Sequence, residues 1–237
     1  MIDSWLDNVD KGMYTGIILI DLRKAFDTVN HTILLQKLKA HGCSLNSIKW
    51  FRSYLSNRQQ SVQIKNELSE TSSITIGVPQ GSILGPLLFT VFINDLPNAV
   101  SNGRIDMYAD DTTLSVCSTK IDEIEAKLTD DMKDIIKWIN KNKLALNIDK
   151  TKCMLLTSSQ KRKYLNSEKD LQIVVNDVEI ECVDYVKCLG ITIDKNLLFH
   201  DQVTNVVSKC SQKTGLLRRA SGIIDSLHLP MLYKAFI

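Results

Sequence analysis

Tyr108-Ala109-Asp110-Asp111 places two adjacent carboxylates between two short segments, 104–109 and 112–117, whose composition suits β-strands. The acids are therefore expected at the tip of a hairpin. Alone, an Asp-Asp pair reads as a solvated acidic turn. Asp21 changes that reading, because it closes 15–20, the most apolar β-branched run in the chain. If that strand neighbours the hairpin in one sheet, three carboxylates meet at one edge, an arrangement that is costly without cations. Oxygen donors with open positions suit Mg²⁺, which keeps waters and shares its shell with substrate phosphates. Two such ions about 3.5–4 Å apart clamp an in-line phosphoryl displacement. One would lower the pKa of an attacking hydroxyl and the other would hold leaving pyrophosphate. The protein then supplies mainly positioning and charge neutralisation. Spacing alone leaves the convergence of the three acids an expectation.

The surrounding pattern supplies the frame. Segment 15–20 reads as a buried strand. Asn30 is a candidate N-cap for a helix carrying Ile33, Leu34, Leu35 and Leu38 and stopped by Gly42. A second helix is expected over 45–55. Segments 61–64 and 73–76 are expected to pair as strands. Gly77-Val78-Pro79-Gln80-Gly81 is a loop of strong breakers. The helix that follows opens with Gly85-Pro86 and is apolar nearly all round, so it should be buried. Ile121, Ile124, Leu128, Met132, Ile135 and Ile139 keep helical spacing. Further strands are expected at 153–157, 171–175, 179–183 and 185–193, then a helical tail from Asp201. Segment 160–163 reads as a basic loop. Hairpins with intervening helices give an α+β class, not a doubly wound parallel sheet.

Composition excludes several classes. The 237 residues allow one large domain or two small ones. Their 44% apolar and 24% charged content is that of a globular protein with a core. A net charge of +2 excludes a strongly basic, histone-like chain. No run is long and apolar enough for a transmembrane helix, and the N-terminus carries acids where a signal peptide needs Lys or Arg. The six cysteines form no CxxC pair and read as reduced thiols. His31, His41, His200 and His228 share no ligand spacing and read as structural. Charge is uneven. Residues 101–140 hold five basic and nine acidic residues, 141–169 eight and two, and 195–237 six and two. Basic surface near an acidic centre suits nucleic-acid phosphates and implies salt-sensitive binding.

Four ordered segments resemble one family. Asp21-Leu22-Arg23-Lys24-Ala25-Phe26-Asp27 resembles motif A of reverse transcriptases, and Gly77-Val78-Pro79-Gln80-Gly81-Ser82 resembles motif B. Tyr108-Ala109-Asp110-Asp111 resembles the motif C box, and Leu146-Asn147-Ile148-Asp149-Lys150-Thr151-Lys152 resembles motif D. Cys188-Leu189-Gly190-Ile191-Thr192-Ile193 resembles the primer-grip hairpin. The Ala-Phe-Asp ending of the first motif and the form of the second resemble non-LTR retrotransposons, particularly jockey-like elements. The resemblance implies a right-hand polymerase: a palm over 1–195 with part of the fingers at about 28–77, and the helical start of a thumb over 196–237. The sequence is then expected to be the centre of a longer polymerase, truncated at both ends. The implied activity is RNA-directed DNA synthesis from a DNA primer 3′-OH, with an RNA template, deoxynucleoside triphosphates and two Mg²⁺, Mn²⁺ being an alternative. The implied setting is nuclear or cytoplasmic, not membrane-bound or secreted.

The resemblance also implies residue roles. Asp21 and Asp110 would be principal metal ligands, Asp111 a more peripheral one, and the Leu22 carbonyl would complete one ion's shell. Backbone N–H groups of Lys24 and Ala25 would meet the triphosphate. Phe26 would exclude a ribose 2′-OH. Gln80 and Gly81 would border the nascent base pair, where glycine permits close backbone approach. Tyr108, Leu189 and Gly190 would contact primer and template. Lys150 would protonate pyrophosphate, with Lys152 its nearest rival. Asp27 reads as a structural cap, and Arg58 as either a template contact or a surface arginine. Two other readings stay open. An RNA-dependent RNA polymerase is disfavoured by Pro79-Gln80-Gly81 and Phe26, and a catalytically inert nucleic-acid-binding relic would keep the motifs without activity.

Overall fold

The computed structural model describes residues 1–163, 170–224 and 228–236. The chain divides into two compact units, Met1–Val183 and Asp184–Ile237. That division falls ahead of the 195/196 boundary expected from the sequence.

The first unit starts with α1 (Ile2–Asp10), a helix the sequence pattern did not announce, and β1 (Tyr14–Ile20). A 3-10 turn at Ala25–Thr28 leads to α2 (His31–Ala40) and α3 (Leu45–Leu55). Four short strands follow: β2 (Arg58–Gln60), β3 (Gln63–Ile64), β4 (Glu67–Leu68) and β5 (Ser72–Ile74). Next come α4 (Leu84–Ile93), β6 (Arg104–Tyr108), β7 (Asp111–Ser118) and α5 (Ile121–Lys141). β8 (Lys152–Leu156), the short α6 (Ser159–Arg162), β9 (Val174–Val175), β10 (Val178–Glu179) and β11 (Glu181–Cys182) complete the unit.

One sheet organises these elements, in the order β11-β8-β1-β7-β6. All its pairings are antiparallel except that of β11 with β8. This is the α+β class expected. β1 runs through the centre and buries Ile17 and Ile18 completely. α5 lies across the sheet with Ile124, Leu128, Met132 and Ile135 fully buried. Gly16 makes that contact possible, because a Cβ there would sit 2.3 Å from Ile124 and 2.8 Å from Leu128. Asn30 caps α2 as expected, its side chain accepting from Ile33 N–H at 3.1 Å. Lys37 ties α2 to α4, donating to the Phe92 carbonyl and the Asp95 carboxylate, both at 2.6 Å.

Several expected elements differ. The exposed ribbon pairs β2 with β5 and β3 with β4, not 61–64 with 73–76. Its strands face water, so the alternating Val62 and Ile64, and Ile76 after Ile74, are not turned to a core that would fix their pairing. Only 174–175 of the expected 171–175 strand pairs in a ladder, although Leu171 and Ile173 are buried. Segment 179–183 breaks at Ile180, whose N–H is taken by the Ile173 carbonyl at 2.8 Å. The basic loop at 160–163 is largely the helical turn α6, capped by the Ser158 hydroxyl. Lys161 lies over the Tyr14 ring and donates to the Gly12 carbonyl. α4 buries Leu88, Phe89, Phe92 and Ile93 but leaves Leu87 exposed.

The second unit contains a hairpin of β12 (Tyr185–Cys188) and β13 (Ile191–Asp194), followed by α7 (His200–Ala220) and α8 (Leu229–Phe236). Leu189 and Gly190 form the hairpin turn with φ of 48° and 85°. What read as one strand over 185–193 is therefore two. The Asp194 carboxylate accepts N–H bonds from Asn196, Leu198 and Phe199, which fixes the entry into α7.

Candidate active site

The register of the central sheet brings the acids together. Ile20 at the end of β1 faces Thr112 on β7, so the next step along each strand sets Asp21 beside Asp111. On the other side of β7, Tyr108 pairs with Asp111 across the two-residue turn Ala109-Asp110. Ala109 has a φ of 53°, a left-handed conformation uncommon without glycine. Burial holds the Asp111 carboxyl above the ordinary value of 3.8, and repulsion from Asp110 and then Asp21 adds to it. Asp111 thus senses both other carboxylates.

Asp21 is fixed from the opposite side of β1. Its Oδ2 accepts from Asn147 Nδ2 at 2.8 Å, and its backbone N–H donates to Thr151 Oγ1 at 3.2 Å. The Thr151 hydroxyl in turn donates to the Asn147 carbonyl at 2.8 Å. Backbone bonds bind the same two segments: Asn147 N–H donates to the Asp21 carbonyl and Arg23 N–H to the Ala145 carbonyl, both at 2.8 Å. Asn147 and Thr151 were not singled out by sequence reasoning as positioning residues. Their only signal was membership of the motif D segment.

A cavity of about 710 Å³ opens on this edge. Asp21, Leu22, Lys24, Ala25, Phe26, Gln80, Asp110 and Lys150 all line it, together with Arg23, Thr28, Ala145 and Asn147. Asp111, Gly81 and Tyr108 are not among its lining residues. The Phe26 ring stacks on Phe89, with centroids 4.3 Å apart and planes at 26°. The Phe26 carbonyl accepts from Val78 N–H and the Val29 carbonyl from Gly77 N–H, both at 2.8 Å, so the loop after β5 is tied to the 3-10 turn. Gly77 permits this approach, since a Cβ there would lie 2.7 Å from the Asp27 carbonyl oxygen. Gln80 Nε2 donates to Asp27 Oδ1 at 2.8 Å. Asp27 is thus structural as the acceptor for Gln80 rather than as a helix cap. His31 is structural too, its Nε2 lying 2.7 Å from the Gly77 carbonyl oxygen. The two candidate lysines diverge. Lys150 reaches the cavity, whereas Lys152 is held by Glu181 at 2.5 Å and by the Asp149 carbonyl at 2.6 Å.

The donors at this edge are hard oxygens. Among the described residues, no group of three or more His, Cys, Asp or Glu is placed so as to hold a metal ion by itself. Such a donor set fits Mg²⁺, which takes one or two carboxylates and fills its shell with water and substrate phosphate. Among the described residues, no helix is long and apolar enough to cross a membrane.

The family described as reverse transcriptase (RNA-dependent DNA polymerase) matches residues 3–193. The chain belongs to the reverse transcriptase family. It is 32% identical over 230 residues to the probable RNA-directed DNA polymerase from transposon BS of Drosophila melanogaster, covering 90% of this chain and 24% of that relative. It is 30% identical over 209 residues to the RNA-directed DNA polymerase from mobile element jockey of Drosophila funebris, covering 85% and 22%. The chain therefore spans about a quarter of the length of these curated relatives. Among solved structures, telomerase from Candida albicans, in complex with a fragment of telomeric RNA, superposes with a TM-score of 0.53 at 13% identity over 83% of this chain and 32% of that one. Apo telomerase from Candida tropicalis gives 0.52 at 15% identity, over 82% of this chain and 38% of that one. The reverse transcriptase fold, with its antiparallel sheet and packed helices, is thus shared despite low identity.

Proposed function

We propose that the chain is the catalytic centre of an RNA-directed DNA polymerase from a jockey-like non-LTR retrotransposon. The observation that carries this reading is that Asp21 and Asp110 line one cavity, with Asp111 set beside Asp21 by the strand register and held above its ordinary value by burial and, less, by repulsion from Asp110 and Asp21. In this reading Met1–Val183 with the hairpin that follows is the palm, residues 28–77 belong to the fingers, and the region from 196 starts the thumb. Partners are an RNA template, a DNA primer and deoxynucleoside triphosphates, in the nucleus or cytoplasm.

Asp21 and Asp110, with the Leu22 carbonyl, would hold two Mg²⁺, and Asp111 would be a peripheral ligand. When bound, the ions supply Lewis-acid activation of the primer 3′-OH and neutralisation of the triphosphate. Asn147 and Thr151 keep Asp21 oriented so that little reorganisation remains for the reaction. Lys24 and Ala25 offer backbone N–H groups to the triphosphate at the start of the 3-10 turn. Phe26, braced by Phe89, closes the space a 2′-OH would need. Gln80 and Gly81 border the new base pair, Gln80 with its amide steadied by Asp27. Lys150 gives a proton to departing pyrophosphate, and its place on the cavity supports it over Lys152. Tyr108, Leu189 and Gly190 would contact primer and template.

Primer extension on poly(rA)/oligo(dT) with Mg²⁺ tests the reading, with dTTP and UTP supplied separately. Extension with dTTP and little with UTP is expected. Preferential use of UTP would favour an RNA polymerase, and no extension with either would favour an inert relic.

A further inference from the structure

α3 carries an aromatic ladder with no part in the chemistry above. Trp50 is 54% exposed. It lies one helical turn before Tyr54, the spacing at which side chains meet. The two rings stack with centroids 5.6 Å apart and planes only 8° apart. Phe51 meets the Trp50 ring edge-on at 5.1 Å. Arg58, opening β2, holds its guanidinium 4.5 Å from the Tyr54 ring centre and donates from Nε to the Tyr54 carbonyl at 2.8 Å. Three planar groups are therefore fixed in series, with the indole at the open end.

Charge and position say what would cover that indole. Residues 28–66 contain six Lys or Arg and no Asp or Glu. Lys37 is spent on Asp95, but Lys39, Lys49 and Arg52 are exposed on the same two helices. A ligand suited to this surface is anionic and presents flat aromatic faces. Arg58 also lines a cavity of about 750 Å³. Lys24, Thr28 and Gln80 form part of its wall and part of the wall of the cavity holding Asp21 and Asp110. Ladder, outer cavity and active site thus follow one another across the first unit.

We propose that Trp50, Tyr54 and Arg58 form a stacking platform for unpaired bases of the template strand on its way to the active site. Bases within a duplex already cover each other's faces, so only a single-stranded overhang engages the ladder, and Lys49 and Arg52 meet its phosphates. The inference rests on the polymerase reading for the identity of the strand, and its test separates the two.

The test measures affinity of the full chain for labelled RNA–DNA hybrids with identical duplexes and a 5′ RNA overhang of about two or about ten nucleotides. Trp50→Ala is expected to weaken binding of the long-overhang hybrid roughly tenfold or more, leave the short one unchanged, and be largely rescued by Trp50→Phe. Equal affinity of wild type and Trp50→Ala for the long overhang would overturn the proposal, as would an equal loss on both hybrids. So would a self-association removed by Trp50→Ala with RNA binding intact, because the indole would then face another copy of the chain. Primer extension by the wild type on the same hybrids reports on the polymerase reading. Its absence alongside a Trp50-dependent overhang preference would remove that reading and keep the platform.

Discussion

Asp21, Asp110 and Asp111 sit where strand ends meet, and each has a different environment. Asp21 is hydrogen-bonded by Asn147, Asp110 lies in the turn and lines the cavity, and burial holds Asp111 above its ordinary value. That shift has a definite pH signature. The folded chain binds the Asp111 proton more tightly than the unfolded chain does. Stability is therefore lost as pH rises through the window between the ordinary 3.8 and the raised folded value, and the cost persists at neutral pH. Asp111→Asn should accordingly raise the melting temperature of the metal-free protein at pH 7 and raise it less at about pH 3. Thermal unfolding of both proteins at the two pH values checks this, and an equal gain at both would contradict the electrostatic cause. The two lysines make a second contrast at this scale. Lys150→Ala should lower the rate of nucleotide addition about a hundredfold with substrate affinity little changed. Lys152→Ala should leave the chemical step intact and cost about 0.5 kcal/mol of stability, the value of a partly exposed ion pair. Single-turnover extension and thermal unfolding of both variants separate the assignments.

Among the elements, the β6–β7 hairpin is placed by a residue far from its tip. Asp131 is fully buried on α5. It accepts from the backbone N–H groups of Ser101, Asn102 and Gly103 and from the Asn102 side chain. This clasp fixes the segment that starts β6. Asp131→Ala would leave those part-buried donors without the carboxylate and should cost about 2 kcal/mol, a melting shift on the order of 6 °C. Calorimetry on the variant measures it, and a shift below about 2 °C would show that water or a rearranged loop replaces the carboxylate. An acid on the apolar stripe between Leu128 and Met132 was visible in the sequence, but its partners were not. β1, β7 and α5 were legible because β1 and β7 are buried on both faces along most of their length and α5 turns one apolar stripe to the core. The β2–β5 and β3–β4 ribbon was not, because its Val62, Ile64 and Leu68 are exposed and no buried face fixes its register. The ties of Asp21 to Asn147 and Thr151 were equally hidden, since hydrogen bonds between residues so distant in sequence leave no local spacing to read.

At the scale of the whole molecule, the net charge of +2 averages opposed regions. An acidic stretch around the motif C box lies within the same unit as a segment, 28–66, that has no acid at all. Ordered motifs made the family legible where composition alone allowed any globular protein. The fold then added what order could not: a sheet register that puts Asp21 beside Asp111, and a cavity that gathers most of the proposed substrate contacts. Metal-dependent nucleotide addition is the chemistry proposed for this edge. Its most direct test is single-turnover extension of a preformed chain–hybrid complex with dTTP and Mg²⁺, comparing wild type with Asp110→Asn. Extension by the wild type, at least about a thousandfold slower in Asp110→Asn with hybrid affinity retained, is the expected result; equal extension by the two proteins would contradict the assignment.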